Sequence, residues 1–186
     1  MTRIVAGTVG GRTLVVPKAG TRPTSERVRE ALFSRLEHLD VVDGARVLDL
    51  YAGSGALGIE AASRGAQHVT LVDSARDAAE ACRRNVAALG LADRVQVVTE
   101  KAERFAQRAP VAPWDLVLVD PPYDLSEPDL ADVLAGIAGA LSAHAVVVVE
   151  RSSRTPEPTW PAALERLDRR AYGETVMWFA EPAPAP

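Results

Sequence analysis

From Arg46 onward the chain alternates short apolar runs with stretches of helical periodicity, and few folds accept that alternation. Val47-Leu48-Asp49-Leu50 and residues 68–72, 95–98, 114–119 and 146–149 have strand length and are rich in valine and leucine. Residues 57–63, 76–89 and 130–141 lie between them and read as helices. In the second of these, Ala78, Ala81, Cys82, Val86 and Leu89 share a face and Gly90 closes the helix. The 114–119 run is continuously apolar after Asp115, as expected of a strand covered on both faces. Repeated strand-helix units connect through right-handed crossovers, so the fold class is α/β, with a mostly parallel central sheet and helices on both faces. Residues 164–170 and 175–179, around a turn at Tyr172-Gly173, break the rhythm and predict an antiparallel hairpin that adds a reversed strand at the sheet edge. The proline-rich residues 181–186 are expected to form a disordered tail.

The first forty residues are of another kind. Residues 3–6 and 12–16 are apolar stretches separated by Gly7, Gly10 and Gly11, which predicts a small β-hairpin, and 17–23 reads as a linker. Thr24 is then the expected N-cap of a helix whose Val28, Leu32, Leu36 and Leu39 recur on one face, with Glu26 in the first turn and Arg27 projecting away. Charge is also uneven. Residues 1–35 hold seven Lys or Arg against two acids, a net +5 in a chain whose total is −4, which leaves −9 for the remainder. An acidic body with a basic arm predicts a polyanion held at one end. The organisation expected is a basic extension over 1–40, one α/β domain over 41–180, and the tail.

Composition narrows the classes further. No run approaches the roughly 20 apolar residues of a membrane-spanning helix, and the first ten residues lack a secretory pattern, so a cytoplasmic protein without membrane contact is expected. Cys82 is a lone cysteine, and His38, His68 and His144 are far apart, so no metal site is expected.

Two motifs carry chemistry. After the first core strand, Gly53-Ser54-Gly55 and Gly58 lie at a strand-to-helix turn, where glycine lets a backbone approach a ligand and the helix N-terminus offers unpaired N–H groups. Asp73, at the end of the second core strand, suits a ribose hydroxyl. Taken alone, these signals fit a dinucleotide as well. Asp49 inside the strand favours a cationic group, since it would repel a pyrophosphate. It faces a ligand's ammonium or ties the loop to backbone N–H groups, and the residues leave both open.

The second motif, Asp120-Pro121-Pro122-Tyr123, follows the 114–119 run. Consecutive prolines stiffen the backbone and donate no hydrogen bond, so carbonyls are left free at the sheet edge where α/β proteins bind ligands. Asp120 and the Pro121 carbonyl can each accept one hydrogen of an amino group and aim its lone pair at an electrophilic methyl group. Tyr123 stacks on the base, a contact worth about 1–3 kcal/mol.

Together the glycine loop, the acid after the second strand and Asp-Pro-Pro-Tyr resemble the class I, Rossmann-like amino-methyltransferases. Residues 22–33 (RPTSERVREALF) and 47–58 (VLDLYAGSGALG) further resemble the bacterial RsmD family, the 16S rRNA (guanine(966)-N(2))-methyltransferases. The resemblance implies S-adenosyl-L-methionine as cofactor, its methionine end held by Asp49, Gly53, Ser54 and Gly55 and its ribose by Asp73. It implies that Asp120 to Tyr123 present guanine N2, and that the substrate is small-subunit ribosomal RNA in a 30S particle, met by a monomer. After the third strand the wider class often places an acid before a small residue to meet the adenine. Here Lys101-Ala102 stands there, so Glu100 or the Ala102 backbone is left for that contact. Arg12, Lys18, Arg22, Arg27 and Arg29 are the expected phosphate track, with salt bridges to nearby acids the alternative for Arg22 and Arg29.

Other readings fit less well. An adenine-N6 methyltransferase would use the same motif but usually carries a separate recognition region, and a glutamine-modifying enzyme typically has Asn where Asp120 stands. Cytosine-C5 chemistry needs a nucleophilic cysteine, and Cys82 lies among alanines in a helix. A nicotinamide-dependent oxidoreductase would have no use for Asp120-Pro-Pro-Tyr, and a non-catalytic RNA-binding assembly factor is the remaining class.

Overall fold

A computed structural model of the chain describes residues 2–17 and 24–184. The N-terminal hairpin pairs β1 (Thr2–Arg3) with β2 (Thr13–Leu14) and leads to α1 (Glu26–His38). There follow β3 (Arg46–Leu50), α2 (Ala56–Ser63), β4 (His68–Asp73), α3 (Arg76–Ala88), β5 (Val95–Thr99), α4 (Ala102–Phe105), β6 (Trp114–Val119) and α5 (Glu127–Ala138). The chain ends with β7 (Leu141–Ser152), β8 (Leu164–Tyr172) and β9 (Thr175–Pro182). Seven strands form one sheet in the order β5-β4-β3-β6-β7-β9-β8. The first five of these are parallel, and β9 runs antiparallel to both β7 and β8, so the expected hairpin adds the last two strands and β8 forms that edge.

Alternation along each strand divides the core between the two faces. Val47, Leu71, Leu116, Leu118, Val146 and Val148 pack with Ile59 of α2, Val86 of α3 and Leu32, Phe33 and Leu36 of α1. Leu48, Leu50, Val117, Val119, Val147 and Val149 pack on the other face with Leu130, Val133, Leu134 and Ile137 of α5. The extension therefore shares its core with the sheet. Ile4 and Leu14 of the hairpin belong to the first of these clusters.

Several boundaries differ from expectation, each for a local reason. Ser25, not Thr24, caps α1, its hydroxyl accepting the Val28 N–H at 3.2 Å. Helix α5 begins at Glu127 because the Ser126 hydroxyl accepts from Asp129 N–H and Pro128 occupies its first turn, where periodicity is masked by polar residues. Leu141 pairs with Trp114 and so opens β7 instead of ending α5. The four-residue α4 is too short to show a period. The tail is ordered further than its prolines suggested: Glu181 and Pro182 continue β9 opposite Glu165 and Leu164, and the Ala183 N–H reaches the Ala163 carbonyl at 2.9 Å. Proline is accepted there because β9 pairs with β7 only as far as Ala180, so no strand on that side needs its N–H.

Glu60 of α2 joins the extension to the domain. Fully buried, it accepts the backbone N–H groups of Val5 (2.8 Å) and Ala6 (3.0 Å), and it pairs with Arg29 (3.3 Å) and Arg64 (2.8 Å). The Arg29 guanidinium also donates to the Arg3 carbonyl. Arg29 is thus fully buried, which corrects its expected place on a phosphate track. Removing one partner of a buried pair leaves uncompensated charge, so Arg29→Ala should lower unfolding free energy by about 3–5 kcal/mol. Urea denaturation reads this directly, and a loss below about 1 kcal/mol, the scale of an exposed pair, would contradict it.

Candidate active site

Four acids gather at one end of the sheet because strand parity puts them there. Asp49 of β3 is in register with Leu71 of β4 and Leu118 of β6, and Leu118 with Val148 of β7. Residues in register on parallel strands face the same side, as do residues two apart on one strand. Asp73, Asp120 and Glu150, each two residues beyond one of those partners, therefore share the face of Asp49. Between β3 and β6 the order reverses, with β4 and β5 on one side and β6 and β7 on the other. Such a switch point is where an open α/β sheet leaves a crevice. A cavity of about 630 Å³ opens there, and Asp49, Gly53, Asp73, Asp120, Tyr123 and Glu150 are among its walls. Its volume suits a cofactor-sized ligand.

The glycine loop curls over one end. Gly53 and Gly55 have φ of 59° and 79°, which glycine adopts without strain, and Tyr51 is held at 61°, a costly angle for an aromatic residue. Tyr51 is anchored by its hydroxyl, which donates to Glu103 at 2.9 Å. Asp73 fixes the loop by accepting the N–H groups of Gly53 and Ala75, both at 2.9 Å. Gly58 is required for packing, since a Cβ there would lie 2.3 Å from Leu71 Cδ2. Gly55 stands at the N-cap of α2 behind the loop, against Leu71 and Ile59, so it shapes the cavity without lining it.

Asp49 ties the loop to a backbone N–H with one oxygen and leaves the other bare. Oδ2 accepts the Gly58 N–H at 2.8 Å, whereas Oδ1 is buried with no partner. Burial, opposed by the Gly58 bond and reinforced by Asp73, raises its pKa to about 7. An unmatched buried carboxylate oxygen in a cavity wall is an acceptor site for a cation. Cys82 donates to the Gly53 carbonyl at 3.2 Å, and burial pushes its thiol up to about 12, so it is no nucleophile.

Asp120 to Tyr123, directly after β6, line the same cavity beside β3. The Asp120 carboxylate has no hydrogen-bond or ion-pair partner among the described residues. Burial first, then Glu150 and Asp49, raise its pKa well above the ordinary carboxylate range. The Pro122 carbonyl accepts the Leu125 N–H at 3.0 Å, while that of Pro121 has no protein donor among the described residues. Tyr123 is 77% exposed, so its ring is available to stack.

Comparison with known proteins identifies the family and the fold. The sequence profile of a family described as conserved hypothetical protein 95 matches residues 2–181. Ribosomal RNA small subunit methyltransferase D of Escherichia coli (strain K12) is 40% identical over 162 residues, 86% of this chain and 79% of that protein. Its namesake from Haemophilus influenzae is 32% identical over 157 residues, 83% and 80% of the two chains. The chain belongs to the RsmD family. A solved structure of Escherichia coli yhhF superposes with a TM-score of 0.85 at 32% identity, covering 97% of each chain. The fold is the class I methyltransferase fold.

Within this RsmD family member the remaining expected site residues divide. Ser54 lines the cavity, its carbonyl accepting from Asn85 at 2.9 Å. Asn85 also exchanges two hydrogen bonds with Val15, which ties the extension to the glycine loop. Ala102 is buried in the first turn of α4, away from the cavity walls, and Glu100 is engaged by Arg104 (3.1 Å) and Arg108 (2.8 Å). Arg27 is exposed on α1 and forms no ion pair among the described residues, and the exposed Arg12 donates to the Ala88 carbonyl at 3.3 Å. Lys18 and Arg22 lie outside the described residues.

Sequence reading missed Glu150. Its signal was present, since Leu71-Val72-Asp73, Leu118-Val119-Asp120 and Val148-Val149-Glu150 repeat one pattern of two apolar residues and an acid at a strand end.

Proposed function

We propose that the protein methylates the exocyclic N2 of a guanine in small-subunit (16S) ribosomal RNA, position 966, acting as a monomer on an assembled or partly assembled 30S particle. The names of its relatives support a ribosomal RNA substrate. The observation that carries the reading is a pair of acceptors with no donor among the described residues, the Asp120 carboxylate and the Pro121 carbonyl, in a cavity that Asp49 also lines.

The residues fit S-adenosylmethionine. Asp49 Oδ1 is placed for an ammonium, the Gly53-Ser54 backbone for the methionine end, and Asp73 for ribose hydroxyls. Seven carboxylates against two arginines line the cavity, an excess that favours a ligand carrying cationic charge and opposes a pyrophosphate, which weighs against a nicotinamide dinucleotide. When bound, the cofactor supplies an electrophilic methyl group and leaves as S-adenosylhomocysteine. Asp120 and the Pro121 carbonyl hold the two amino hydrogens, and Tyr123 stacks on the base. Alignment is the main contribution required of the protein. As the new N–C bond forms, the amine loses one proton, and Asp120, with its raised proton affinity, is placed to take it.

Mass-spectrometric mapping of small-subunit RNA from cells with and without the protein tests the reading. N2-methylguanosine at one position should vanish in its absence, and an unchanged nucleoside map would refute the proposal. RNA contact by the extension has its own test. Arg12→Glu with Arg27→Glu should flatten the slope of log affinity against log salt by about 0.7–0.9 for each lost contact. Titration of the particle at several salt concentrations measures it, with cofactor affinity unchanged.

A further inference from the structure

A second cavity of about 560 Å³ adjoins the first, and Thr24, Tyr123 and Glu150 belong to the walls of both. Glu150 therefore stands where a base stacked on Tyr123 would meet the cofactor cavity. Val119 and Val149 are in register on adjacent strands, so Asp120 and Glu150, the next residues of each, are neighbours about 4.8 Å apart in backbone and on one face. The Thr24 hydroxyl donates to Glu150 Oε2 at 2.8 Å, and Oε1 has no protein donor among the described residues. One carboxylate oxygen is thus fixed from the RNA-facing extension and the other is left open beside Asp120.

We propose that Glu150, held by Thr24, is the residue that selects guanine, accepting the base N1–H while Asp120 and the Pro121 carbonyl engage N2. This rests on the guanine-N2 reading above. An Asp-Pro-Pro-Tyr corner presents any exocyclic amine and does not distinguish guanine from adenine by itself. The atom beside the amine does. Guanine places the N1–H donor next to its N2 amino group, whereas adenine places the bare N1 acceptor next to its N6 amino group. A carboxylate can only accept, so it pairs with the first arrangement and is repelled by the second. Sites that require a donor reject analogues lacking it far more strongly than apolar pockets reject a missing methylene.

The test substitutes 2-aminopurine for the target guanosine in small-subunit RNA assembled into particles. That base keeps the N2 amino group and lacks N1–H. The wild-type protein should methylate it with kcat/KM lower by about a hundredfold or more. Glu150→Gln, whose amide can donate to a bare N1, should bring the two substrates within about tenfold, and Thr24→Val should narrow the ratio partway. Each ratio is taken between two bases within one variant at saturating cofactor, so any change in cofactor affinity cancels from it. Wild-type rates within about threefold of each other on the two bases overturn the proposal, and that measurement needs no variant to fold. A wild-type ratio retained in Glu150→Gln overturns it as well. Nucleoside analysis separates the two readings. N2-methylguanosine formed with a ratio near one removes only the role of Glu150, whereas its absence from the natural particle removes the guanine-N2 reading on which that role depends.

Discussion

Asp120→Ala should reduce methyl transfer to the ribosomal substrate by about 10²–10⁴-fold, the range for losing a positioned proton acceptor. Affinity for S-adenosylhomocysteine should stay nearly constant. The separation follows from the geometry: Asp120 follows β6, not the glycine loop after β3, and its carboxylate makes no hydrogen bond among the described residues. Stability should not fall either, because a half-enclosed carboxylate facing Glu150 and Asp49 is a cost to the folded state at neutral pH. Asp120→Asn divides positioning from proton acceptance. Its amide oxygen still accepts an amino hydrogen but cannot take the proton, so single-turnover rates should fall between those of the parent and Asp120→Ala. Equal rates for Asp120→Ala and the parent would end the assignment.

Asp49→Asn should weaken cofactor binding by about 2–5 kcal/mol, the scale for removing one partner of an enclosed charge pair. Its pH behaviour is the more diagnostic result. In the empty protein the Asp49 pKa is raised from its ordinary value of 3.8 to about 7. A raised acid favours its neutral form in the folded state, so this group weakens the fold progressively as pH rises from about 4 to about 7 and holds that cost above. The cost is on the order of 4 kcal/mol. Asp49→Asn, whose side-chain oxygen can keep the Gly58 bond, should therefore melt higher than the ligand-free parent at pH 8. The gap should close toward pH 4. Cofactor affinity of the parent should fall about tenfold per pH unit below about 7, because the carboxyl must shed its proton to meet an ammonium, and the variant should lack that slope. Calorimetric titration at pH 5.5, 6.5 and 8 measures both. A parent affinity flat across this range would exclude Asp49 as the ammonium partner.

The trade described for Asp49 shows which parts of the site were legible in advance. Its place in a strand, four residues before a glycine turn, marked it as unusual, but the chain alone left two roles open. Only packing against Gly58 of α2 showed that one oxygen serves the loop and the other is left without a partner. Gly55 and Ala102 show the reverse case, since motif position named them as contacts and the fold sets both back from the cavity walls. Arg29 looked like its neighbour Arg27 in a basic run. Two residues of helix turn it by about 200°, from solvent onto Glu60.

What the sequence by itself determined is what local rules govern: strand alternation, the left-handed glycines of the cofactor loop, the stiffness of Pro121-Pro122, and the apolar faces of the helices. These depend on neighbours within a few residues, where covalent geometry and periodicity act directly. Tertiary structure alone decided that Glu150 joins Asp120 and that Thr24, 126 residues away, leaves its expected cap to hold it. It also decided that Asn85 reaches back to Val15. Such meetings depend on the register of strands and on which helix covers which face, quantities fixed by the cooperative burial of the whole core and written in no single segment.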